Sequence, residues 1–353
     1  MTMQKQKTTL TSLLTLIICC VLVQCKSPET TEVFQKQRNN VIDVSNRIVD
    51  IDNGLFFGPS LLSINDSLLI LSELTLHGYD KCIHMLNKNT FDHMVSTGIL
   101  GKGPQEITRP GDITIEKDKN ILWVSDHARR VMWRFPLDSV LSNNSYKPTD
   151  YIQLPDVLEL ITYSFINDST IIGRSVVPLT HNSFEMATAK LNTKTKHIAE
   201  FGYENPNAKG RWVSNSSFAL SVENNLYVNA HWHLDLLTLI DLEGNLLANI
   251  YGPGWGKERY NQIDFFSKVA LTSKYIFTTY LGEYGFTYDE NNRPRGLSPS
   301  KILIFDLKGN YLKTLEVGEE IGYFCVDEEN NRIIIYSNAR MNSLGYISLE
   351  GLV

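Results

Sequence analysis

A unit of about fifty residues recurs six times along this chain. A chain built that way folds by setting copies of one supersecondary unit side by side, because no single copy can bury its apolar face alone. Each unit opens on an apolar strand, turns on a tight polar pair, and continues in a second β-rich strand that ends on a small polar residue. It runs first from Leu61 to Ser72, turning at Asn65-Asp66, and returns at 113–125, 164–172, 219–228, 269–277 and 324–335. The second strands begin near 68, 121, 170, 226, 275 and 333. A second hairpin follows most units. Asp241-Leu242-Glu243-Gly244-Asn245 and Asp306-Leu307-Lys308-Gly309-Asn310 are near copies, and Gly-Asn is expected to supply the positive φ angles of a tight turn. Asn87-Lys88-Asn89-Thr90 and Asn192-Thr193-Lys194-Thr195 hold the equivalent place. No long stretch has helical periodicity. Four antiparallel strands per repeat, lettered A to D, set around a channel, make an all-β six-bladed β-propeller of four-stranded blades.

The ends of the chain predict how the ring closes. The sixth repeat has a third strand at Tyr346-Ile347-Ser348-Leu349 and then stops at Val353. Spare strands lie near the other end, at 41–44 and 48–51, and are expected to complete the last blade, removing two open edges that would invite aggregation.

Ahead of the repeats, Lys5 and Lys7 precede an uncharged, mostly apolar run from Leu10 to Val23. The run is too short for a bilayer core, which needs about 20 residues, and has the form of a secretory signal. Leu22-Val23-Gln24-Cys25 resembles a lipobox, which implies cleavage before Cys25 and acylation of its thiol; Gln24 departs from the usual small residue. The residues that follow are polar and have little to bury. The expected organisation is a signal peptide over 1–24, a lipidated Cys25 with a flexible tether over 25–40, and a propeller over 41–353. More than one acyl chain makes such an anchor stable, so the partners include a lipid membrane through Cys25, on the periplasmic or the surface side.

The mature chain as a whole resembles the six-bladed β-propeller lipoproteins of Bacteroidetes, in the broad TolB-like and NHL-like group. The resemblance rests on Cys25 and its signal, the six repeats, and Gly101-Lys102-Gly103-Pro104-Gln105-Glu106, which is similar to a Gly-x-Gly-Pro-x-Glu turn between blades. Propellers host binding modules and enzymes alike. Lactonase-like relatives hold calcium in the channel through acidic and Asn ligands. For this chain the resemblance implies Asp112, Asp126, Asn229 and Asp264 as the candidates for such a site, and a metal-dependent hydrolase of a lactone or ester as the alternative function.

Without Lys5 and Lys7 the 33 basic residues fall to 31 against 39 acidic ones, a net charge of −8. That excludes the basic footprint of a nucleic-acid partner. Of the five cysteines, Cys82 and Cys325 fall in opposite halves and in non-equivalent places of the repeat, and are read as buried thiols. A monomer is expected, with no required cofactor.

In a four-stranded meander the A–B and C–D turns share one face, and the B–C and D–A loops share the other. The A–B turns here are short. The B–C and D–A loops are long and hold the aromatic and ionisable residues, so that face is the expected working side. Its candidate ligand-binding residues are His127, Arg129, Arg130, Trp212, His231, Trp232, His233, Trp255, Tyr280 and Tyr284, with Tyr288 beside them. Strand alternation places His231 and His233 on one side, as half a metal site or as a surface pair beside Trp232. Asp126-His127-Ala128-Arg129-Arg130 can grip an anion or a sugar, or form local ion pairs. Glu106 with Arg109 is read as pinning a blade junction. There is no Gly-x-Ser-x-Gly elbow, His-Glu-x-x-His or phosphate-binding Gly loop. The expected function is therefore binding or scaffolding of a protein, peptide or glycan, with no catalytic residues assigned.

Overall fold

The computed structural model describes residues 30–75, 80–210, 212–257 and 263–353. The chain divides into Met1–Thr31 and Glu32–Val353. Cys25 and the signal lie outside the described residues. The second unit is a six-bladed β-propeller of antiparallel sheets.

Blade 1 is Ser60–Ile64, Leu68–Glu73, Lys81–Asn87 and His93–Ile99. Blade 2 is Pro110–Glu116, Ile121–Asp126, Val131–Pro136 and Tyr151–Gln153, with a short helix, Leu137–Ser142, between its last two strands. Blade 3 is Glu159–Asn167, Thr170–Thr180, Ser183–Asn192 and His197–Glu200. Blade 4 is Ser216–Ser221, Leu226–His231, Leu236–Ile240 and Leu246–Tyr251. Blade 5 is Ile263–Leu271, Tyr275–Tyr284, Lys301–Asp306 and Tyr311–Glu316, and a small hairpin, Phe286–Tyr288 with Pro294–Gly296, projects from its B–C loop. Blade 6 is Tyr323–Asp327, Arg332–Tyr336 and Leu344–Ser348, with Ile48–Asp50 as its antiparallel outer strand. The A strands line the channel, and each packs on the next around the ring.

The B strands read as unbroken apolar runs because each blade is covered on both faces. Side chains alternate across a strand, so one strand feeds two cores. Leu68 and Ile70 pack toward blade 2, while Leu69 and Leu71 pack toward blade 6. Leu122 and Val124 face blade 1, and Ile121 and Trp123 face blade 3. Cys82 and Cys325 are free thiols buried in different inter-blade cores.

The two Gly-Asn hairpins are turned differently from the expectation. Only the glycines, Gly244 (φ 92°) and Gly309 (φ 82°), are left-handed. Asp241 and Asp306 complete the turns, each carboxylate accepting the backbone N–H groups at the second and fourth positions that follow. A short acidic side chain thus organises the loop, and a register shift follows in each hairpin.

The N-terminal segment does more than close one blade. Glu32–Phe34 adds a parallel fifth strand to blade 4, pairing with Leu246–Tyr251. Val41–Asp43 adds a parallel fifth strand to blade 5, pairing with Tyr311–Glu316. Only Ile48–Asp50 reaches blade 6. The expectation that 41–44 would also join the last blade is corrected, and within the stretch expected as a tether Glu32–Phe34 is already a strand of blade 4. Between the two parallel strands Arg38 is buried (side chain 6% exposed) and donates to Asp235, which is fully buried, at 2.7 Å. Its guanidinium lies 5.4–5.6 Å from the ring centroids of Phe266, Tyr280 and Phe305. Among the described residues no helix is long and apolar enough to cross a membrane.

Candidate functional site

On the B–C/D–A face several candidate residues are held by the fold itself. Buried carboxylates staple the loops there. Asp126 accepts the backbone N–H groups of Thr108, Arg109, Ala128 and Arg129. Arg129 donates to the Gly103 carbonyl at 2.5 Å and to Thr108 Oγ1 at 2.9 Å, so it clamps the turn between blades 1 and 2. Glu106 accepts the Gly103 N–H and fills the space where a Cβ on Gly101 or Gly103 would stand. The junction is thus pinned by Glu106 and Arg129, in place of the expected Glu106 and Arg109. Arg130 donates to the Pro155 carbonyl and lies 3.3 Å from Asp156. His127 sits 3.3 Å from Glu159, and burial lowers its pKa.

His231 and His233 do not pair. The strand ends at His231, alternation stops there, and the two rings diverge. His231 is buried inside blade 4, with Nε2 3.2 Å from Thr238 Oγ1; burial pushes its pKa down to about 3. His233 turns to Asp264 of blade 5, at 2.6 Å. Trp255 packs on Tyr251, ring centroids 4.4 Å apart. Tyr280 lies between blades 4 and 5, donates to Asp235 at 3.2 Å, and has its pKa raised by burial.

Trp212, Trp232 and Tyr284 remain at the surface, 61%, 37% and 55% exposed, with Tyr288 beside them. The structure adds Phe56, Val157, Leu179 and Met341, all exposed on the same face. On the A–B/C–D side Val222 is exposed in a turn, and Met94, Tyr151 and Leu247 are exposed at the starts of D strands; the others lie on the N-terminal strands or at the C-terminus. The four added residues were missed because Phe56, Val157 and Met341 sit singly in loops and Leu179 near the end of a long B strand. They share one side of the ring only once the blades are closed.

The four calcium candidates occupy separate places. Asp126 and Asn229 are on B strands, Asn229 donating to Thr188 Oγ1 of blade 3. Asp264 is bound to His233, and Asp112 is in the channel wall. Among the described residues no three His, Cys, Asp or Glu side chains are grouped to hold a metal ion. The channel opens on the A–B side as a cavity of about 580 Å³, lined by the A strands of all six blades. Asp112 accepts the Tyr163 backbone N–H there at 3.0 Å; burial raises its pKa to about 7, against the pull of that bond. Lys268, on the A strand of blade 5, has its pKa lowered by burial, with Asp112 opposing the shift.

Comparison with known proteins bears on the fold. The family model described as TolB-like 6-blade propeller-like matches residues 44–329. No curated protein matches the chain. A member of the DUF4221 family from Bacteroides vulgatus ATCC 8482 aligns with a TM-score of 0.61 at 11% identity, covering 85% of this chain and 95% of that one. A protein of Bacteroides fragilis NCTC 9343 described as exported aligns at 0.52 and 12%, covering 86% and 87%. A luciferin-regenerating enzyme aligns at 0.54 and 7%, covering 85% and 94%. At these identities the likeness is one of fold.

Proposed function

This chain belongs to the TolB-like six-bladed propeller family, and on that premise we propose that it is an exported, lipid-anchored binding module whose B–C/D–A face docks a protein or peptide. The observation that carries this reading is the distribution of exposed apolar side chains. Phe56, Val157, Leu179, Trp212, Trp232, Tyr284, Tyr288 and Met341 stand on the loops and strand ends of that face, against Met94, Tyr151, Val222 and Leu247 toward the other. These residues come from several blades, a spread suited to a macromolecule. Val157, Leu179 and Met341 are aliphatic, which favours a protein over a glycan, whose rings stack on aromatic platforms. The rigid ring keeps the loops preorganised, which lowers the entropy lost on binding. Acylation at Cys25 would hold the module at a membrane, and the likeness to an exported Bacteroides protein agrees with export.

The test is photo-crosslinking in intact cells from positions 232, 288 and 341, with 222 as control, followed by binding measurements on the captured partner. Trp232→Ala and Tyr288→Ala should each weaken binding by about tenfold or more, and Val222→Ala should leave it unchanged. Crosslinks only from 222, or equal losses on both faces, would place the working side on the A–B turns. A glycan as the bound species would replace the protein in this reading. Cys25→Ala should shift the chain from the membrane to the soluble fraction or leave it uncleaved. A mature N-terminus other than Cys25 would remove the anchor.

A further inference from the structure

We infer that the channel, entered from the A–B side, is a second binding site, for a small zwitterion carrying an ammonium and a carboxylate, such as an amino acid or short peptide. The cavity of about 580 Å³ falls within the range of ligand pockets, roughly 300–1,000 Å³. Its wall carries Asp112 on blade 2 and Lys268 on blade 5, while Asp327 of blade 6, which also lines it, is paired with Arg332 and Lys88. In a ring of six, blades 2 and 5 are opposite one another, so the carboxylate and the ammonium face each other across the channel. They sense each other's charge, but neither is in ion-pair contact with the other or with another described residue. Lys268 Nζ instead lies over the Tyr323 ring, 4.4 Å from its centroid. Beside Asp112, the Thr162 hydroxyl lines the cavity and is buried without a hydrogen-bond partner.

The charges restrict the ligand. At the mouth, Asp66, Asp118, Glu223 and Glu328 stand against Lys117, while Asp168 is neutralised by Lys119 and Lys88 is tied to Glu329. The mouth therefore disfavours an anion, since clefts lined by one sign of charge repel that sign. A simple cation that passes it meets the Lys268 ammonium inside. A molecule with both charges satisfies both groups: its ammonium is received by Asp112 and its carboxylate by Lys268, with Ile113 and Val269 available to its apolar parts. Charge-assisted hydrogen bonds of this kind are the strong ones, and two of opposite sign on opposite walls set the ligand's direction as well as its affinity.

Isothermal titration calorimetry on the full-length protein in detergent tests this, using the L-amino acids and the alanine di- and tripeptides. At least one should bind saturably, and its N-acetylated and its C-amidated forms should each bind about tenfold more weakly or worse. That comparison needs no variant. Asp112→Asn and Lys268→Met, each checked for an unchanged melting transition, should weaken the same ligand by about tenfold or more. No saturable binding at millimolar concentration, equal binding of the capped forms, or full affinity in the folded variants would each overturn the assignment.

Discussion

Replacing Arg38 tests whether the N-terminal strap is part of the fold or an ornament on its rim. The Arg38 guanidinium donates to Asp235 at 2.7 Å and to Gln35 Oε1 at 2.9 Å, and lies among three aromatic rings. In Arg38→Met the apolar stem is kept and the charge removed. Asp235 would retain the Gly254 N–H at 2.8 Å and the Tyr280 hydroxyl at 3.2 Å, but its carboxylate would be buried without a cation. Breaking a buried pair from one side costs about 3–5 kcal/mol. A desolvated cation–π contact is worth about 2 kcal/mol, though the two overlap and do not add. The expected loss is therefore about 3–5 kcal/mol, read from urea unfolding as a lower midpoint at constant slope. Asp235→Asn should be damaging alone, and the double variant should recover part of the loss, giving a coupling of about 2 kcal/mol. Hydrogen exchange should show faster exchange in the strands Glu32–Phe34 and Val41–Asp43. Single-variant losses below about 1 kcal/mol, or strict additivity, would refute the argument. The strap would then be held by its strand pairing alone.

Two further outcomes follow from single positions. Gly173 pairs with Tyr163 in blade 3, and a Cβ there would overlap the Thr162 carbonyl oxygen and crowd the Tyr163 backbone. Gly173→Ala should therefore destabilise the domain by about 3 kcal/mol, and a melting temperature unchanged from wild type would show that the strand yields. His231 is buried and its pKa is depressed to about 3. The native state thus favours neutral imidazole, and its contribution is complete above the unfolded value near 6.5 and is lost as pH falls toward 3. Between pH 6.5 and 5 the loss should be about 1.5–2 kcal/mol. His231→Gln should flatten the stability–pH profile over that window by this amount, and parallel profiles would contradict it.

Much of the fold was legible because a repeat expresses itself locally. The expected second-strand starts agree with the observed ones at Leu68, Ile121, Thr170, Leu226 and Tyr275, and with Arg332 to within one residue. Turn chemistry and period-2 alternation act over a few residues, so the sequence reports them directly. The closing strand at Ile48–Asp50 was legible too, because the sixth repeat lacks an outer strand and an open edge needs a partner. The strap's other strands were not. Glu32–Phe34 and Val41–Asp43 are three residues each, and what holds them is the exposed D-strand edges of blades 4 and 5, far away in the chain.

The candidate site divides along the same line. The six-bladed ring, the long loops on one side of it and the aromatic residues they hold can be read along the chain, since each depends on a local pattern repeated around an axis. Which of those residues stand exposed on the finished ring depends on contacts that arise only when the blades close. Arg129, His231 and Tyr280 read as ligands when counted by type, yet they face a backbone carbonyl of the preceding blade junction, a buried threonine on the adjoining strand and a buried carboxylate of the neighbouring blade. The same closure set Asp112 opposite Lys268, which are more than 150 residues apart in sequence. Burial and charge pairing depend on distance in space, and in a ring that distance is set by blades whose sequence separation says little about it.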